Sequence, residues 1–167
     1  ILALMINEVR NKYFRRSVQT IVYLPHFISV VVVVGMLNSF LSPSNGIINI
    51  LIKALGGQPI HFLQEPGWFK TIYVWSGVWQ GAGWNAIIYL AALTSIDPQL
   101  YEAAIVDGAG RWKRLIHITL PGIIPTIIIM LIMRMGSMLN VGFEKIMLMY
   151  NPVTYETADV ISTYVYR

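Results

Sequence analysis

The sequence has no cysteine among its 167 residues, which removes disulfides, thiolate metal sites and thiol nucleophiles together. Charge is scarce as well. Asp, Glu, Lys and Arg make up 12% of the chain, where a soluble domain carries roughly 25%, so much of the polar coat of a water-soluble core is missing. Disorder is excluded from the other side, because disordered chains lack the aromatics and branched aliphatics in which this sequence is rich. With 56% hydrophobic residues and a mean hydropathy of +0.60, the expected solvent is lipid. Also absent are a signal peptide, an internal repeat, a low-complexity tract, and a Gly-rich loop ending in Gly-Lys-Ser or Gly-Lys-Thr that would cradle phosphates. The net charge of +4 does not imply nucleic acid, because the basic residues are dispersed among apolar runs and form no continuous stripe.

What is present is apolar length. Residues 18–41, 71–96 and 118–139 each supply the ~20 mostly apolar residues that a helix needs to cross a bilayer core. Valines 30–34 alone would suit a buried strand, but the stretch containing them far exceeds a strand's usual ~4–8 residues, so helix is expected. Loop charge gives the orientation, since cytoplasmic loops carry an excess of Lys and Arg. Arg10, Lys12, Arg15 and Arg16 precede the first stretch, and Arg111, Lys113 and Arg114 lie between the second and third. Lys53, Lys70, Lys145 and Arg167 are spread over the longer segments 42–70 and 140–167. Residues 7–17 and 97–117 are therefore expected to face the cytoplasm. Segment 42–70, punctuated by Pro43, Gly46, Gly56, Gly57, Pro59, Pro66 and Gly67, reads as outer loops around a short helix at 47–55. Trp68 and Tyr73 sit where a span enters the outer interface. Opening at Ile1 rather than Met and closing at Arg167, the chain is expected to be the middle of a longer protein.

The loop at 97–117 carries the sharpest signals. Asp97 is a good N-cap, Pro98 is favoured at the first helical position, and Gly108 suits the left-handed residue that ends a helix. A cytoplasmic helix of about ten residues is predicted, too short to span. Leu100, Ala103, Ala104 and Asp107 share one of its faces. The adjacent alanines either admit a partner's groove or pack beneath the protein's own spans.

Glu102-Ala103-Ala104, three residues, Gly108, nine residues, then Ile118-x-Leu120-Pro121 resembles the EAA loop of ATP-binding-cassette importer permeases, the membrane subunits of binding-protein-dependent uptake systems. Asp107, Ala109 and Pro125 match its extended pattern. Tyr23-Leu24-Pro25, Trp79-Gln80-Gly81 and Tyr164-Val165-Tyr166-Arg167 look like the sugar branch, including aldouronate- and maltose-type permeases. The resemblance implies an all-α, polytopic helical bundle of six core spans, of which 1–167 would hold three complete spans and the end of another. It implies multi-pass placement in a bacterial plasma membrane, with ATPase subunits, a second permease subunit, an extracytoplasmic solute-binding protein and a carbohydrate as partners. ATP would bind on the ATPase subunit, and this chain would hold no cofactor. Glu102, Ala103, Ala104, Asp107, Gly108, Ile118, Leu120 and Pro121 would couple nucleotide-driven closure to rocking of the spans.

The residues of the second span leave two readings of its glycines. Gly77-x-x-x-Gly81 is the small-residue spacing that lets helices pack closely in lipid. Equally, Gly81, with Gln80, Trp79, Trp84 and Asn85, combines a notch, flat aromatic faces and amides, as a sugar path requires. Gly81 also resembles a substrate-lining position of the maltose-type permease, and Trp84 falls where that family has an aromatic. Arg134 is the one charge deep in an expected span. Such an arginine faces a partner or a wet cavity, so it either bonds neighbouring carbonyls or meets an anionic sugar, with Ser137 and Asn140 along its side. His26, His61 and His117 are too far apart for a metal site, and His26 could cap carbonyls freed at Pro25. Residues 143–155, with Glu144, Lys145 and Tyr150-Asn151-Pro152, are polar enough to touch a solute-binding protein. A membrane-embedded enzyme is disfavoured, because the expected spans hold no acid. A same-family permease for amino acids or another polar solute remains the alternative.

Overall fold

The computed structural model describes residues 1–138 and 142–166, without the side chains of Tyr164 and Tyr166; residues 139–141, Asn140 among them, and Arg167 fall outside it. Among the described residues every regular element is helical. The all-α expectation holds, and the chain divides into two compact units.

One unit combines residues 1–25 with 81–140. It contains α1 (Leu2–Glu8), α2 (Lys12–Tyr23), the second part of α5 (Pro66–Thr94), α6 (Pro98–Val106), α7 (Arg111–Arg114) and α8 (Leu120–Ser137). Asn11 starts α2, its side chain accepting from the Tyr13 and Phe14 amides. The core is Ala3, Ala86, Leu93 and Ile123, with Leu90, Ile96 and Leu120 packed against it. A π-helical turn, Leu115–Thr119, joins α7 to α8 in one continuous helix, Arg111–Ser137.

The other unit combines residues 26–80 with 141–167. It holds α3 (Val30–Phe40), α4 (Ile47–Ala54), the first part of α5, α9 (Phe143–Met149), α10 (Tyr155–Ala158) and α11 (Ile161–Tyr166). Val34, Phe69, Ile146, Met149 and Ala158 form its core. Asn49, fully buried, ties α4 to its flanks. Its Nδ2 donates to the carbonyls of Leu41, Ser42 and Ile60, and its Oδ1 accepts from the Ile60 amide at 2.8 Å.

Two boundaries differ from expectation. The stretch 18–41 is not one helix: α2 ends at Tyr23, a 3-10 turn occupies Leu24–Phe27, and α3 starts afresh at Val30. Pro25 lacks the amide a continuing helix needs, and Ser29 caps the new helix by accepting from the Val32 amide. The third stretch begins at Arg111 rather than 118, so the end of the loop 97–117 is already helix. Finally, Arg111–Ser137 is the helix among the described residues that is long and apolar enough to cross a membrane by itself; Lys12–Phe27 with Val30–Phe40 qualifies only as a bent pair. At 29 residues α5 is long enough, about 43 Å, but Ser76, Gln80, Asn85 and its glycines dilute its apolarity. Ile128, Ile129, Leu131, Ile132 and Met133 on α8 are all at least half exposed, a surface that belongs in lipid or against other helices.

Candidate functional site

The loop after α5 folds as its caps dictate. Asp97 accepts from the Gln99 amide at 2.9 Å, Pro98 occupies the first turn, and α6 stops before Gly108, whose φ of +75° only glycine adopts without strain. The matching residues divide into two sets. Leu100, Glu102, Ala103, Asp107 and Gly108 are exposed, whereas Ala104 is half-buried. Ile118 lies half-buried in the π-turn, Leu120 packs on the core, and Pro121 is exposed in the first turn of α8. One face of α6 is thus free and the other is fastened to the protein.

Two fastenings were not read from the sequence. The Tyr101 hydroxyl and Thr119 Oγ1 hydrogen-bond at 2.9 Å, linking α6 to the π-turn. Ile96, just ahead of the Asp97 cap, lies against Gly122, where an added Cβ would stand 2.8 Å from Ile96 Cδ1. Both partners lie more than fifteen residues away in sequence, which no local pattern signals. α6 and the residue that leads into it are thus joined to the base of α8 by a hydrogen bond and an apolar contact.

On α5 the glycines behave differently from one another. Gly83 is where a neighbouring backbone arrives: an added Cβ would stand 2.6 Å from the Val22 carbonyl carbon. Gly77 and Gly81 meet no backbone; their nearest atoms would be Lys145 Nζ and Asn85 Nδ2, each at 3.5 Å. Asn85 is half-buried beside Gly81, and Trp84 is 44% exposed. Gln80 is committed elsewhere, its Nε2 donating to the Ile28 carbonyl at 2.8 Å and so satisfying the backbone at the break before α3. Trp79 faces a recess of about 350 Å³ with Trp68, Trp75, Phe40 and Met36. The recess is almost wholly apolar, and its Ser76 hydroxyl is turned to the α5 backbone.

Arg134 is exposed and occupies the last turn of α8. Arg134 lies about 35 Å along the helix from Arg111 and about 24 Å from Ile118, where the mostly apolar stretch begins. A cation there also complements the helix C-terminus. Ser137 Oγ donates to the Arg134 carbonyl at 3.1 Å and so serves its own helix.

The segment after α8 also reads differently in three dimensions. Glu144 is exposed, but Lys145 is buried: its Nζ donates to the Tyr73 carbonyl at 3.0 Å and stands 4.8 Å from the Tyr73 ring centre. Burial pushes the Lys145 ammonium below the ordinary lysine range. The Tyr150 hydroxyl donates to the Asp159 carboxylate.

Comparison with known proteins adds to this geometry. The sequence profile described as "Binding-protein-dependent transport system inner membrane component" matches residues 1–167. Protein LplB of Bacillus subtilis (strain 168) is 48% identical over 99% of this chain and 52% of its own length. The polygalacturonan/rhamnogalacturonan transport system permease protein YteP of the same organism has the same identity and coverage. Among solved structures, a bacterial ABC transporter involved in the import of the acidic polysaccharide alginate contains a chain 57% identical to this one, with a TM-score of 0.96 over 99% of this chain and 58% of that one. The chain thus spans about half the length of the curated relatives it matches.

Proposed function

Since the chain belongs to the family of binding-protein-dependent transport system inner membrane components, which are transport rather than catalytic parts, we propose that it is part of the membrane domain of an ABC sugar importer. Residues 18–41, 71–96 and 118–139 mark its three crossings, the first of them broken at Pro25. The cytoplasmic face carries α6, and the full-length subunit works with a second permease subunit, ATPase subunits and an external solute-binding protein. Its cargo is a carbohydrate, and a uronate-containing oligosaccharide in particular. The relatives support this choice, one being named for polygalacturonan and rhamnogalacturonan transport and another forming part of an alginate importer.

The observation that carries the coupling role is the free face of α6. Glu102, Ala103 and Asp107 project from a short helix that is held at Asp97 and Gly108 and fastened to α8 through Tyr101. Small side chains at 103 and 104 let a cleft close around the helix, and the fastenings pass its movement to the span. Gly81, Trp84 and Asn85 on α5 remain the sugar-facing set of this reading; Gln80 contributes through the backbone it holds, and Arg134 and Ser137 stand at the outer end of α8.

The absence of cysteine makes the test direct. Ala103→Cys is placed in the full-length subunit, co-expressed with ATPase subunits that carry single cysteines around their docking cleft. A crosslink whose yield changes with nucleotide is the expected result. Failure to crosslink, with the Ala103→Cys thiol labelled by impermeant reagents from outside, would reverse the topology and overturn the coupling role.

A further inference from the structure

Between the outer part of α5 and the short α9 lies a basic group that the sequence pattern did not place on any sugar path. Lys145 is 8% exposed, and an ammonium carries three donors, one of which is spent on the Tyr73 carbonyl. Among the described residues no carboxylate pairs with it, although a buried charge without a partner is costly. Two glycines border it and its tyrosine neighbour. A Cβ at Gly77 would stand 3.5 Å from Lys145 Nζ, and a Cβ at Gly142 would stand 3.5 Å from the Tyr73 hydroxyl. Both glycines are exposed. Any larger side chain at either position would cover the amine or the phenol.

The geometry points to a carboxylate-binding site: we propose that Lys145, reached past Gly77 and Gly142 and flanked by Tyr73, holds the carboxylate of an acidic sugar unit and sets a preference for uronate-containing over neutral oligosaccharides. This deepens the carbohydrate reading above and depends on it. Each of these groups suits such a ligand. The ammonium gives charge-assisted hydrogen bonds to a carboxylate. The Tyr73 hydroxyl, on the side of Gly142, offers a further hydrogen bond. Partial enclosure strengthens an ion pair at this ammonium relative to one in water. Arg134, exposed at the end of α8, has none of this enclosure.

The test uses the full-length importer with its ATPase subunits and solute-binding protein in proteoliposomes. Uptake of an oligogalacturonate is compared with that of its carboxyl-reduced, neutral counterpart. The wild type is expected to favour the acid. Lys145→Gln should lower the acid-to-neutral uptake ratio by about tenfold or more, the scale of one lost charge-assisted hydrogen bond, and Lys145→Arg should retain most of the ratio. Gly77→Leu, which keeps the lysine but covers it, should lower the ratio as well. A lysine that only fastens α9 to α5 would reduce both uptakes alike and leave the ratio unchanged, which overturns the site. Import of neither sugar by the wild type removes the carbohydrate reading and the site with it, whereas equal import of both overturns the site alone.

Discussion

Replacing Gly83 by alanine tests the helix crossing on which one unit is built. The added Cβ would stand 2.6 Å from the Val22 carbonyl carbon and 2.9 Å from Val22 Cγ1, with the carbonyl oxygen nearer still. Carbon atoms rest about 3.5–4.0 Å apart, so α2 must withdraw from α5 by about 1 Å. Backbone cannot rotate aside as a side chain can, and overpacking of this kind costs about 1–3 kcal/mol. For a cooperative unit of about 150–250 residues each kcal/mol shifts the melting temperature by about 2–4 °C, and by less in a larger one. Gly35→Ala is the matched control, because nothing lies within 4 Å of its added methyl. There the lower entropy of alanine in a helix gives no loss and a gain of about 0.5–1 kcal/mol. The assay is thermal unfolding of the detergent-solubilised full-length complex followed by tryptophan fluorescence. Gly83→Ala should melt below wild type, and Gly35→Ala at or above it. Equal melting of the two variants would refute the close crossing.

Two further substitutions probe separate features. Gly108→Val forces a β-branched residue to φ +75°, at a cost of about 1–2 kcal/mol or more; the subunit should still reach the membrane while transport per ATP hydrolysed falls, and normal uptake would remove Gly108 from the coupling role. Asn49→Ala deletes the side chain that satisfies Ile60 on both its amide and carbonyl, leaving a buried donor unpaired at about 1–3 kcal/mol. Limited proteolysis should then cut residues 55–65 faster than in wild type, and an unchanged rate would show that the loop is held by other contacts.

The helix ends around 47–55 and 97–108 were legible because capping is a matter of neighbours. Asp97 reaches the amide two residues on, and Gly108 relieves strain at its own backbone. The short outer helix appears at Ile47–Ala54 and α6 at Pro98–Val106, close to where composition and caps put them. The break in 18–41 was legible only in part: Pro25 marked a kink, but the restart depends on Ser29 turning its hydroxyl to the Val32 amide. Apolar length suggested one continuous run, since hydropathy averages over a residue that lacks an amide.

Composition and short-range chemistry thus determined the lipid-facing character, the helical class, the caps of α6 and the resemblance carried by Glu102-Ala103-Ala104 and Gly108. Tertiary structure decided which glycine receives a neighbouring backbone, namely Gly83 rather than the regularly spaced pair Gly77 and Gly81. It also turned Lys145 inward, to a carbonyl 72 positions away, and spent the Gln80 amide on a carbonyl 52 positions away. Periodicity tells which residues share a face of one helix. What that face meets depends on which other segment packs there, and distance along the chain carries no record of it.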